Sequence, residues 1–347
     1  MTVAAPRLHH TPHSEATRTE PQPRVWYRAS DGTVSRDCSP EVLREIVNKG
    51  DGTLWVDLDV RDRKQFALLE QVFGFHPLSI EDVLNPASRV KIEEFASHLF
   101  AIIRGVRFCE ETPDDPYDVE TYNLYFFLGR NFLVTAHSEL SPSLDTVHER
   151  IERSPDLLAR GVGRLMHATM DATVDAFFPV VDQLDTFVDG LEERVFSKFD
   201  QDAMRDIFSV KRLVLSLRRH LTPQREVFNI FSNRPNPLLP PETQIYFRDI
   251  YDHVLRITDS LDAFRDLLGS TMESYLSQVN NRLGTATKTL SVVATFTLPF
   301  VVVSGMWGMN FDVIPFAHDV WGFLILVLFQ AALGLSILAV LRRKGVL

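Results

Sequence analysis

The last sixty residues constrain this chain more than anything before them. From Thr289 to Phe311 run 23 residues without a charge, and from Val320 to Leu341 another 22. A helix rises about 1.5 Å per residue, so about 20 mainly apolar residues cross the ~30 Å hydrocarbon core, and both segments qualify. Burying two such helices inside a soluble protein would need a large enclosing domain, which the sequence after them does not supply. The expectation is a chain that spans the bilayer twice.

The flanks set the orientation. Arg282 and Lys288 precede the first span, Arg342, Arg343 and Lys344 follow the second, and the connecting stretch 312–319 holds Asp312 and Asp319 but no Lys or Arg. The positive-inside rule then places both termini in the cytoplasm and the short acidic loop outside, as in a multi-pass protein of the inner (plasma) membrane. With 36 Lys and Arg against 46 Asp and Glu the net charge is -10. That balance is wrong for a nucleic-acid binder and suits metal cations. Cys38 and Cys109 form no CxxC pair, which argues against a disulfide framework or a zinc ribbon.

The rest divides by composition. Residues 1–23, rich in Pro, Thr and His, read as a disordered tail in which His9, His10 and His13 are solvated. Residues 24–143 read as an α/β domain. Strands are expected at Arg24–Arg28, Thr53–Leu58, Leu99–Phe108, Thr121–Leu128 and Phe132–Ala136, and helices at Pro40–Lys49, Arg61–Phe73 and Leu78–Leu84. Residues 144–241 are helical, with apolar steps of three and four along Val174–Val195 and again along Ala203–Phe231. A stalk helix over 242–288 runs on into the first span at 289–311. The loop 312–319, the second span 320–341 and the basic tail 342–347 follow. One helix from about Glu242 to Met309 would be on the order of 100 Å long. A rod of that length suits the transmission of movement into a membrane segment. The fold class is an α+β membrane protein. No GxSxG, HExxH or P-loop is present, so no enzyme is expected. A membrane-anchored scaffold or sensor is the rival class.

At the end of the first span stand Gly308, Met309 and Asn310, followed by Phe311, the acidic loop and the second span. With HPLSIEDVLN at 76–85 and YFRDIYDH at 246–253, this resembles the CorA family of magnesium and cobalt channels over residues 25–347. The resemblance implies a funnel-shaped homopentamer whose first span lines the pore, with Gly308, Met309 and Asn310 as selectivity filter. It also implies a gate in which Mg²⁺ binds carboxylates between adjacent cytoplasmic domains. The matching positions are Asp82 and Asp249, with Glu81 and Asp171 as further candidates. Trp307 stands where the family usually has Tyr, Gly284 and Thr287 where Asn and Met are common, and Val301 where Thr is. The outer loop also lacks the family's MPEL sequence, so ion choice is open: Mg²⁺, Co²⁺ and Ni²⁺, or Zn²⁺ as in a related branch.

The residue types fit that chemistry. Mg²⁺ gives up its water reluctantly and prefers oxygen ligands, and the first span has Ser, Thr and Asn oxygens but no Cys or His. One face presents Thr287, Leu290, Ala294, Leu298, Val301, Gly305 and Gly308 at steps of three and four, with Leu290 and Leu298 able to close a pore by dewetting. The same small and apolar pattern would also serve helix packing. Asp312 and Asp319 would attract cations to the outer mouth.

Overall fold

The computed structural model describes residues 23–36, 39–109, 119–197, 200, 202–309 and 320–344. The expectations for the tail before Pro23, for Asn310 and for the loop with Asp312 and Asp319 lie outside the described residues. The chain forms two compact units, one of Met1–Leu191 with Arg205–Leu268, the other of Glu192–Met204 with Gly269–Leu347.

The first unit is built on seven strands: β1 (Arg24–Arg28), β2 (Val34–Ser35), β3 (Thr53–Asp59), β4 (Lys91–Glu94), β5 (Leu99–Phe108), β6 (Val119–Leu128) and β7 (Phe132–His137). They lie in the order β2-β1-β3-β7-β6-β5-β4, and among the described residues only β3 and β7 run parallel. Helices cover both faces, so the central strands are apolar on both sides. On one face Leu54, Val56, Leu58, Phe100, Ile102, Phe127, Phe132 and Val134 pack under α1 (Pro40–Lys49), α2 (Arg63–Gln71) and α3 (Pro77–Leu84). The hairpin joining β6 to β7 turns at Gly129, where a Cβ would lie 2.2 Å from the Phe132 ring. Buried Asn131 in that turn donates to the carbonyls of Ile46 and Asp51, tying α1 to the sheet.

The other face carries α4 (Pro142–Arg153), α5 (Asp156–Ala159) and α6 (Val162–Asp175). Its seam with the sheet is polar. Asp57 of β3 accepts from Thr135 Oγ1 at 2.6 Å and lies 3.0 Å from His148 Nε2 and 3.4 Å from His137 Nε2. Trp26 Nε1 donates to His148 Nδ1 at 2.9 Å, so the imidazole hydrogen sits on Nε2, aimed at Asp57. The Trp55 ring stacks on His148 at 4.0 Å. Burial alone would raise the Asp57 pKa, but the hydrogen bond and charge of His137, and then the hydrogen bond from His148, prevail and hold it well below the usual carboxylate range.

Three long helices and a second span complete the chain: α7 (Phe177–Ser197), α8 (Ala203–Asn233), α9 (Pro241–Trp307) and α10 (Gly322–Arg343). The part of α9 up to Leu268 belongs to the first unit and buries Phe247, Ile250, Val254, Ile257 and Leu261, with Phe247 stacked on Phe231 at 4.9 Å.

Two expectations shift. The repeat along Val174–Val195 is split, with α6 ending at Asp175 and α7 starting at Phe177. Pro179, which lacks an N–H, falls in the first turn of α7, where the donors have no intrahelical partner anyway. Strand β4 (KIEE) went unread because three of its four residues are charged, as befits a sheet edge.

Candidate functional site

In the second unit the first span is the end of α9. Thr287, Leu290, Ala294, Leu298, Val301, Gly305 and Gly308 are all exposed within the chain, Leu290 at 70% and Leu298 at 64%. From 291 onward the less exposed residues are Val292, Pro299, Phe300, Val303 and Trp307. At 3.6 residues per turn the two sets are centred about 170° apart around the helix. The second span sits on the side of Phe296 and Phe300: a Cβ on Gly334 of α10 would lie 2.8 Å from Phe300 Cζ and 3.8 Å from Phe296 Cζ. The face expected to line a pore is therefore left uncovered by α10.

Regular helix ends at Trp307, after Gly305 and before Gly308. Gly308 N–H still donates to Ser304 O at 3.0 Å, and Met309 N–H to Met306 O at 3.4 Å, a tighter three-residue step. Gly308 and Met309 thus close the helix, and Asn310 follows them in sequence.

In the first unit the four regulatory candidates fall into two settings. Glu81 and Asp82 are on α3, whose first turn His76 caps by accepting from Leu78 N–H at 3.2 Å. Glu81 is exposed. Asp82 is half-buried and engaged: Lys91 Nζ lies 2.6 Å from its Oδ2, and Ser88 Oγ donates to its Oδ1 at 3.0 Å.

Asp171 of α6 belongs to a cluster with Asp175 and His253, whose ligand atoms all lie within 4.8 Å of one another. His253 Nδ1 is 3.1 Å from Asp175 Oδ1, and its Nε2 is 3.9 Å from Asp249, a side chain 70% exposed. Burial, then the neighbouring Asp175 charge, push the Asp171 carboxyl up to about 6. Its Oδ1 is buried without a hydrogen-bond partner. Two carboxylates and an imidazole converging on one point, with one oxygen unsatisfied, are a donor set that fits a divalent cation. Neither Glu81 nor Asp82 belongs to this cluster. Sequence reasoning missed Asp175 and His253, although the spacing held a signal. Asp171 with Asp175 and Asp249 with His253 are both i,i+4 pairs, and paired acids at that step repel unless a cation lies near.

A family model described as CorA-like Mg²⁺ transporter protein matches residues 50–343. The chain is 32% identical to YfjQ of Bacillus subtilis over 291 residues, 84% of this chain and 89% of that protein. It is 28% identical to the cobalt/magnesium transport protein CorA of Thermotoga maritima over 275 residues, 79% and 77% of the two chains. The solved structure of the CorA magnesium transporter from Methanocaldococcus jannaschii shares its fold with a TM-score of 0.81, at 19% identity, over 95% of this chain and all of that one.

Proposed function

The chain belongs to the CorA family of divalent-cation transporters, and from that premise we propose a channel that admits Mg²⁺, with Co²⁺ and Ni²⁺, down the membrane potential. It transports ions and is not an enzyme. The observation that carries the channel reading is the exposed face from Thr287 to Gly308 on the side of α9 away from α10, ending at the Gly308-Met309-Asn310 sequence. Five copies arranged around that face would make a narrow, mostly apolar pore with a hydroxyl ring at Thr287 and an amide ring at its outer end at Asn310. Such groups bond to the water shell of Mg²⁺ without stripping it. A doubly charged ion gains about 4.6 kcal/mol per 100 mV on entry, so the protein needs a gate and no fuel. In this reading both termini are cytoplasmic, the protein is a homopentamer in the inner membrane, and Asp312 and Asp319 draw cations to the mouth.

The gate in this proposal is the ion itself. Asp82 and Asp249 would bind Mg²⁺ between neighbouring cytoplasmic domains, with Glu81 alongside, and Asp171 with Asp175 and His253 would take a second cation. Loss of the ions would leave the carboxylates repelling one another and open the assembly.

Flux into liposomes carrying the purified chain tests this with Mg²⁺, Co²⁺, Ni²⁺ and Zn²⁺ at low internal Mg²⁺, beside Asn310→Ala and Asp249→Asn. Potential-driven Mg²⁺ entry that Asn310→Ala abolishes, and that internal Mg²⁺ no longer suppresses in Asp249→Asn, is the expected result. Entry of Zn²⁺ alone would move the substrate to zinc. No entry of any ion through a well-folded oligomer would return the chain to the scaffold class.

A further inference from the structure

The two spans are tied by a polar contact that neither their hydropathy nor the filter motif accounts for. Gln330 is the one amide side chain of α10, whose other polar residues are Ser336 and the terminal Arg342 and Arg343, and its Nε2 donates to Ser304 Oγ at 2.7 Å, with Phe300 O at 3.4 Å. An amide in hydrocarbon is costly unless bonded, so a partner on the adjacent helix fixes the pairing of the two spans. Gly334, one turn further along α10, lets the Phe300 and Phe296 rings close against the same face.

The position of Ser304 gives this bond a second consequence. Its own carbonyl accepts the Gly308 N–H at 3.0 Å, the bond that closes α9 immediately before the filter sequence. Between them stand Gly305, Met306 and Trp307, and a helix end carrying two glycines in four residues has little intrinsic stiffness. The side chain of Ser304 is held from outside by Gln330 while its carbonyl holds Gly308 from within.

We propose that Gln330 is a positioning residue for the end of the first span: through Ser304 it fixes the last turn of α9 and so the placement of Gly308 and Met309. The residue touches no permeating ion, since it lies on the helix outside the pore face. The inference rests on the channel reading for its functional meaning, but the mechanical link is measurable without any flux.

The experiment uses full-length chain in liposomes, in a Cys38→Ser, Cys109→Ser background carrying Met309→Cys as reporter. The probe is a membrane-impermeant maleimide, and the variants are Gln330→Leu, Ser304→Ala and the pair together. Each single change is expected to alter the modification rate of the reporter several-fold, and the pair no more than either alone, because one bond is lost in all three. Gln330→Asn, shorter by one methylene, should resemble Gln330→Leu rather than the parent, since it cannot reach Ser304. In reporter-free chains the same variants should lower maximal Mg²⁺ flux several-fold and shift the Mg²⁺ to Co²⁺ flux ratio, while the half-saturating concentration stays within twofold. Parental reporter rates in folded Gln330→Leu, or strictly additive effects of the two changes, would overturn the proposal. A parent chain that passes no ion while the reporter rates respond as expected would instead refute the channel reading and leave the link standing.

Discussion

Lys91 Nζ stands 2.6 Å from Asp82 Oδ2, so a carboxylate proposed to hold the gating ion already holds an ammonium from its own sheet edge. The pair is less than a third exposed on either side, and the same ammonium reaches Glu93 at 2.8 Å. A cation bound at Asp82 must compete with it.

Lys91→Met keeps the stem of the side chain and removes that competitor. The internal Mg²⁺ needed for half-maximal closure should fall about fivefold, corresponding to about 1 kcal/mol for a partly screened pair. Flux measured against internal Mg²⁺ checks it; an unchanged midpoint would mean that Asp82 binds no ion.

His98 is buried between the Phe95 and Phe75 rings, and burial, then the charge of His76, push its pKa down to about 4. The unfolded chain therefore binds more protons than the folded one between roughly pH 6.5 and 4. The His98 contribution to stability should be flat above that window and be lost as pH drops through it. His98→Phe, which suits the aromatic surroundings, should flatten this decline in urea unfolding followed by tryptophan fluorescence. A profile as steep as the parent's would assign the acid sensitivity elsewhere, with His167, also lowered to about 4 by burial and then by Arg164, the next residue to change.

Asp57 joins β3, β7 and α4 through Thr135, His137 and His148. Asp57→Ala leaves two buried imidazoles without their anion and should cost about 3–5 kcal/mol in urea unfolding. Trp26 and Trp55, which bond to and stack on His148, make their fluorescence a local reporter of the same loss.

Gly334→Leu should force α10 off the Phe300 ring and lower the thermal midpoint of the detergent-solubilised chain, and Phe300→Ala in the same molecule should recover much of the loss. Equal midpoints for parent and Gly334→Leu would show that the two spans do not pack through this pair.

What the sequence made legible follows from which physical constraint wrote it. The central strands were readable because burial on both faces leaves runs such as LFAIIRGVRF, and the spans because lipid excludes charge. The charged strand β4 carries no such imprint. Asp57 carries no mark within the expected strand Thr53–Leu58, because its partners come from β7 and α4, about eighty to ninety residues later. Asp175 and His253 were missed for the same reason: their meeting depends on α6 lying against α9. Gln330 escaped notice because an uncharged amide does not interrupt a span counted by charges.

The first unit draws its last buried layer, from Phe247 to Leu268, out of the same helix that becomes the first span at Thr289. During synthesis from the N-terminus, the sheet has to await β7 before its parallel centre can close, and the domain has to await α9 before its core is complete. By then the next residues to emerge are those bound for the bilayer. One continuous helix thus closes the core of the soluble unit and begins the first apolar span, so a change in α9 is expected to be felt in both.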